Sequence, residues 1–150
     1  MAWIRLTARS WRTVWYISRA RRPRVTDQPA AVMSRATGGR PATPEPAGLV
    51  VNLGGTSVYH LGDTCLFSDL RLVPERSPID VALIPIGGHY TMDRHDAVKA
   101  AEWVGAGTVI PCHYNTFPPI ETDDQAFKSD VESKTSSRVV ILQPGESHSV

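Results

Sequence analysis

The chain has 150 residues, room for one ordinary domain. Its 41% hydrophobic content excludes wholesale disorder, and no apolar run approaches the roughly 18 residues of a membrane-spanning helix. The formal net charge of +1 hides a split. Residues 1–47 hold nine Arg against Asp27 and Glu45, a net of +7, whereas residues 48–150 carry −6.

Residues 1–44 read as an Arg/Pro/Ala-rich leader without fixed structure. Three of the four Trp (Trp3, Trp11, Trp15) fall at its start, and Pro23 to Pro46 has almost no aliphatic periodicity. Such text buries too little surface to offset its chain entropy. Arg interrupts every apolar run, so a secretory signal is excluded. Three readings stay open: a disordered leader, a read-through, mis-started or frame-shifted stretch, and a basic arm. Specific nucleic-acid binding is not expected.

From Gly48 the pattern changes. Gly48 to Leu53 is a β-type run, and Gly54-Gly55 turns it into a hairpin partner, Thr56 to His60. Gly62-Asp63-Thr64 breaks that strand. Residues 66–76 read as a short helix or turn. Asp80 to Ile86 is a near-continuous apolar run, the mark of a strand buried on both faces. Asp93 caps a helix to about Gly105, with Ala97, Ala100, Ala101 and Val104 as its apolar stripe. Thr108 to Pro111 is the next strand. Thr122 with Gln125 matches a capping box and opens a helix to about Lys134, with Phe127 and Val131 facing inward. Arg138 to Leu142 is the last strand. This alternation is α/β architecture.

Loops after strand ends carry chemistry in α/β sheets. Three polar clusters fall there: His60-x-x-Asp63-Thr64, Gly87-Gly88-His89-Tyr90-Thr91, and Cys112-His113-Tyr114-Asn115-Thr116-Phe117-Pro118. One Asp and two His are donor types that hold zinc or manganese. By spacing alone a Gly-Asp-Thr is more readily a capped turn, and a loop His a surface or hydrogen-bonding residue.

Residues 45–150 resemble the C-terminal portion of a family of bacterial metal-dependent hydrolases with the metallo-β-lactamase fold, a branch related to the sugar-lactone hydrolases. The matching text is Glu45-Pro-Ala-Gly-Leu-Val-Val51, Val58-Tyr-His-Leu-Gly-Asp-Thr64, Ile84-Pro-Ile-Gly-Gly-His-Tyr-Thr-Met92, Ile110-Pro-Cys-His-Tyr-Asn-Thr-Phe-Pro118 and Pro144-Gly-Glu-Ser147. The resemblance implies the C-terminal half of an αββα sandwich with two divalent metals, zinc or manganese, at one edge. It implies that Asp63 bridges both metals, that His113 ligates the second, and that His89 has a substrate or proton-transfer role. His60, Thr64, Asn115 and Thr116 lie near that site, the last two as residues that fix the His113 loop. An intact relative would use metal-activated water on an ester, lactone or similar bond of a small molecule.

The family's first half carries a His-x-His-x-Asp-His motif that this chain lacks, His60 being its first histidine. Most metal donors are therefore missing, and impaired activity is expected. A sheet without its other half is expected to expose an unpaired edge and an apolar face. The rival from another class is a non-catalytic remnant or a basic-armed binding protein. Cys65 and Cys112 are too few for a disulfide framework, which suits a reducing cytoplasm, and both read as small, half-buried apolar side chains. His95 and His148 read as exposed, and Trp103 as a packing residue. A homo-oligomer is left open.

Overall fold

The computed structural model describes residues 4–9, 14–19 and 48–150. Its central sheet has five strands in the order β3-β4-β5-β6-β7. These are β3 Leu49–Leu53, β4 Thr56–His60, β5 Val81–Pro85, β6 Thr108–Cys112 and β7 Arg138–Val139. β3 and β4 form the antiparallel hairpin expected of Gly54-Gly55, both glycines having positive φ. β4 to β7 run parallel, and the crossovers between them contain α1 Leu72–Arg76, α2 Arg94–Val104 and α3 Asp124–Lys134.

The strands sort their side chains with period two. Tyr59, Ala82, Ile84 and Val109 join the helices in one core, with Ala97, Ala101, Phe127 and Val131 from α2 and α3. Val58, Val81, Leu83, Ile110 and Cys112 form a second cluster, with Val51, Val140 and Leu142 packed on it. Every residue of β5 is buried, as its unbroken apolar run requires. The expected exposed apolar face is corrected here: Val81, Leu83 and Ile110 are fully buried. Among the described residues β3 and β7 are the edge strands of this sheet, and Leu49 on β3 is exposed.

Two element readings also change. The α3 cap is Asp123, whose carboxylate accepts from the Ala126 N–H, not Thr122 with Gln125. Thr122 is drawn away, because its N–H donates to the Asn115 side chain. The last strand of this sheet covers two residues rather than five. In a parallel ladder the N–H and C=O of one residue point the same way. The Val140 N–H donates to the Val109 carbonyl, so the next rung falls on Pro111, which has no N–H to give.

Inside the stretch read as a leader, β1 Ile4–Arg9 and β2 Val14–Arg19 are antiparallel strands. Ile4-Arg5-Leu6-Thr7 has the alternation of a strand, which the leader reading passed over. β1 also pairs with β8 Ser147–Ser149, giving a second sheet in the order β2-β1-β8. His148 is therefore half-buried in a strand, not an exposed tail residue. The rest of the leader reading lies outside the described residues. Among these, no helix is long and apolar enough to cross a membrane.

Phe127 is fully buried between α3 and the sheet. Phe127→Ala is expected to cost about 3–5 kcal/mol, read as a lowered urea midpoint.

Candidate metal centre

Parallel strands β4, β5 and β6 end on one edge of the sheet, and the three polar clusters follow them there. Two prolines shape that edge. Leu61 donates to the Leu83 carbonyl, so the next rung from β5 toward β4 falls on Pro85, which cannot donate. Pro111 ends the ladder to β7 in the same way. The β4–β5 and β6–β7 ladders end at these points, while β5 and β6 stay paired as far as Cys112.

The loops are tied to one another. The Met92 N–H donates to the Thr64 carbonyl (3.0 Å), joining the loop after β5 to the one holding Asp63. The Ile86 N–H donates to the Cys112 carbonyl (3.1 Å), joining it to the one that starts at His113. At Gly87 the third cluster comes so close that a Cβ would collide with the His113 carbonyl oxygen and lie 2.9 Å from the Ile120 Cβ. Only glycine permits this approach. Asn115 closes its own loop: its N–H donates to the Ile120 carbonyl, and its side-chain oxygen accepts from the Thr122 N–H at 2.7 Å.

His89, His113 and Asn115 all adopt left-handed backbone, with φ of 53°, 54° and 53°. The conformation is uncommon outside glycine, though Asn and His enter it more readily than most residues. Among the described residues these are the non-glycine positions with positive φ, and all lie on this edge.

The result brings Asp63 and His113 together. Asp63 Oδ2 and His113 Nε2 stand 4.0 Å apart, with Asp63 exposed and His113 half-buried. That gap is too long for a hydrogen bond and somewhat wider than the roughly 3.4 Å between two donors on one tetrahedral ion. His113 Nδ1 is buried with no hydrogen-bond partner. A carboxylate and an imidazole suit zinc or manganese in kind. In number they fall short: a catalytic zinc takes about three protein ligands, and no group of three His, Cys, Asp or Glu donors exists among the described residues.

The other expected site residues sit around this pair without joining it. His60 is half-buried at the end of β4, and its Nδ1 accepts from the Gly62 N–H at 3.0 Å. The proton of the neutral ring is then on Nε2. Burial pulls its pKa below 6.5, against a smaller opposing pull from the Asp63 charge. Thr64 donates its hydroxyl to the Cys65 carbonyl, and Cys65 is exposed rather than half-buried. Cys112 is buried on the second core. Thr116 is exposed. His89 is exposed and meets the Tyr90 ring edge-on at 4.3 Å. His95 is exposed, and Trp103 packs beneath the Arg71 guanidinium, 4.2 Å from the ring centroid.

Sequence reasoning missed Tyr114. Burial, followed by the negative charge of the nearby Asp124, raises the pKa of its hydroxyl. This sets the His113 loop beside the start of α3. An aromatic hydroxyl beside the histidine, with an acid at the next helix start, was the available signal. Tyr90 and Phe117 were missed as a pair, their rings 6.2 Å apart.

A family model described as beta-lactamase superfamily domain matches residues 25–113, more than half of the chain. The match begins upstream of Glu45 and ends at His113. The chain is 52% identical over 103 residues to a UPF0173 metal-dependent hydrolase of Methanosphaerula palustris, covering 69% of this chain and 47% of the relative. A namesake from Natranaerobius thermophilus is 48% identical over 100 residues, covering 67% and 45%. Among solved structures, Igni18, a metallo hydrolase from Ignicoccus hospitalis, superposes with a TM-score of 0.65 at 43% identity, covering 69% of this chain and 45% of that one. The chain thus spans under half the length of these relatives.

Gly87→Ala is expected to destabilise the chain by about 1–3 kcal/mol, because backbone must move to admit the methyl group; chemical denaturation reads this. A second expectation concerns acid. With a lowered pKa, His60 takes up its proton more readily unfolded than folded, so its contribution is harmless above pH 6.5 and costs stability as pH falls below it. His60→Asn keeps an acceptor for Gly62, so its unfolding midpoint should drop less than the wild type's between pH 7.5 and 5.

Proposed function

Because the chain belongs to the beta-lactamase superfamily, and its named relatives are metal-dependent hydrolases, we propose that it is the C-terminal half of such a hydrolase, with Asp63 and His113 as its metal donors. The observation that carries this reading is their approach to 4.0 Å from two separate loops. Asp63 and His113 are the residues that would hold the metal. The substrate class is an ester, lactone or similar bond in a small molecule. When bound, zinc or manganese supplies a water acidified to a pKa of about 7.

The chain's own residues orient and hold. Asn115 and Gly87 hold the backbone of the His113 loop. His60, neutral at pH 7, sets the Gly62 N–H that leads into Asp63. His89, exposed beside Tyr90, is the residue here for a substrate contact or a proton transfer. With two donors the chain by itself holds metal weakly and turns over poorly. A non-catalytic reading, as a remnant or a basic-armed binding protein, is favoured by one observation: no third donor joins the pair among the described residues.

Metal analysis and calorimetry of the purified chain decide between them. Well under two equivalents of zinc or manganese should bind, weakly, with little hydrolysis of simple esters and lactones. Asp63→Ala or His113→Ala should remove most of that binding, and Cys65→Ser should leave it. Two tightly held ions with metal-dependent turnover would overturn the impairment. Binding indifferent to both alanine variants would leave the non-catalytic reading.

A further inference from the structure

The edge that carries Asp63 and His113 has an apolar feature that neither the donors nor the loop bonds use. Five large apolar side chains are exposed among the described residues: Leu49, Leu72, Tyr90, Phe117 and Val150. Two of them meet on this edge. Tyr90 stands on the loop after β5, and Phe117 on the loop after β6 that starts at His113. Their ring centroids are 6.2 Å apart with the planes tilted by 38°. His89 adds its ring edge-on to Tyr90. Three rings from two loops make one continuous aromatic surface.

Folding leaves these rings in water, Tyr90 63% exposed and Phe117 43%. Tyr59 and Phe127, by contrast, are buried in the helix-covered core. The loops that present the pair also contain the left-handed histidines, so backbone strain and exposed aromatic area coincide. Because Ile86, Gly87 and Asn115 tie the loops down, the surface is preformed, and a ligand meets little ordering cost there. Its size decides the occupant. Two rings cover one aryl or short alkyl group, far less than the area of a stable protein interface.

The geometry points to Tyr90 and Phe117 as the subsite for the apolar part of the substrate, with His89 at its margin. The substrate class is then a compound with a hydrophobic acyl or aryl group beside the bond to be cleaved. This rests on the hydrolase reading above and narrows it.

The test uses the intact chain without added metal and two neutral amides, phenylacetamide and acetamide, titrated by NMR on the aromatic resonances. Phenylacetamide should bind about tenfold or more tighter than acetamide, as expected for covering one ring. Tyr90→Ala and Phe117→Ala should each remove about that factor for phenylacetamide and leave acetamide unchanged, whereas Tyr90→Phe should retain it. Both side chains are exposed, so unchanged urea midpoints confirm that the variants fold. Zinc titrations of the two alanine variants should match the wild type, and Asp63→Ala with His113→Ala should leave phenylacetamide binding in place. Failure of the metal reading and failure of the subsite therefore show in different arms. Equal affinity for the two amides, or a folded Phe117→Ala that binds phenylacetamide as the wild type does, would overturn the proposal.

Discussion

Pro85 and Pro111 carry no N–H, and each falls where the parallel ladder needs its next donor. A strand that goes on without a rung leaves a neighbouring carbonyl unpaired, at a cost of about 1–3 kcal/mol when buried. Leaving the sheet avoids that cost. The β4–β5 and β6–β7 ladders therefore end on one edge, while β5 and β6 stay paired through Cys112, where the Ile86 N–H makes the next rung. Past that edge the loops bond one another, as Met92 does to Thr64. Asp63 and His113, 50 residues apart in sequence, stand 4.0 Å apart there.

The same edge concentrates strain. A non-glycine residue in a sparsely populated backbone region costs on the order of 1–3 kcal/mol, and His89, His113 and Asn115 all lie in one. Such conformations persist only where the surroundings over-determine them. For His113 those surroundings are Gly87 against its carbonyl and the Asn115 bonds to Ile120 and Thr122. A relaxed loop would satisfy the backbone equally well, but would not hold an imidazole toward a carboxylate on another loop.

Much of this was legible in the residues. The apolar run at 80–86, the glycine hairpin at 54–55 and the Asp93 cap each follow from local rules, and each element stands within a residue or two of its expected place. What failed depended on partners distant in sequence. Arg138 to Leu142 has a strand's composition, but its length is set by Pro111 on the neighbouring strand. Thr122 and Gln125 have a capping box's spacing, but Asn115 competes for Thr122. The pairing of β1 with β8 joins the two ends of the chain, which no local pattern announces. For the candidate site, spacing alone saw a turn and a loop histidine. The motif resemblance suggested roles for Asp63 and His113, and tertiary geometry placed them face to face.

The exposure of Asp63 sets the electrostatics of the pair. Asp63 keeps most of its carboxylate in water, so no buried charge demands a counterion. His113 Nδ1 is the buried side-chain polar atom left without a partner among the described residues. Structural zinc sites differ, because their thiolates and imidazoles lack a sufficient core and the apo chain unfolds. Here both faces of β5 are packed before any metal is considered. The packed faces of the sheet and the edge that holds Asp63 and His113 are thus built from different residues.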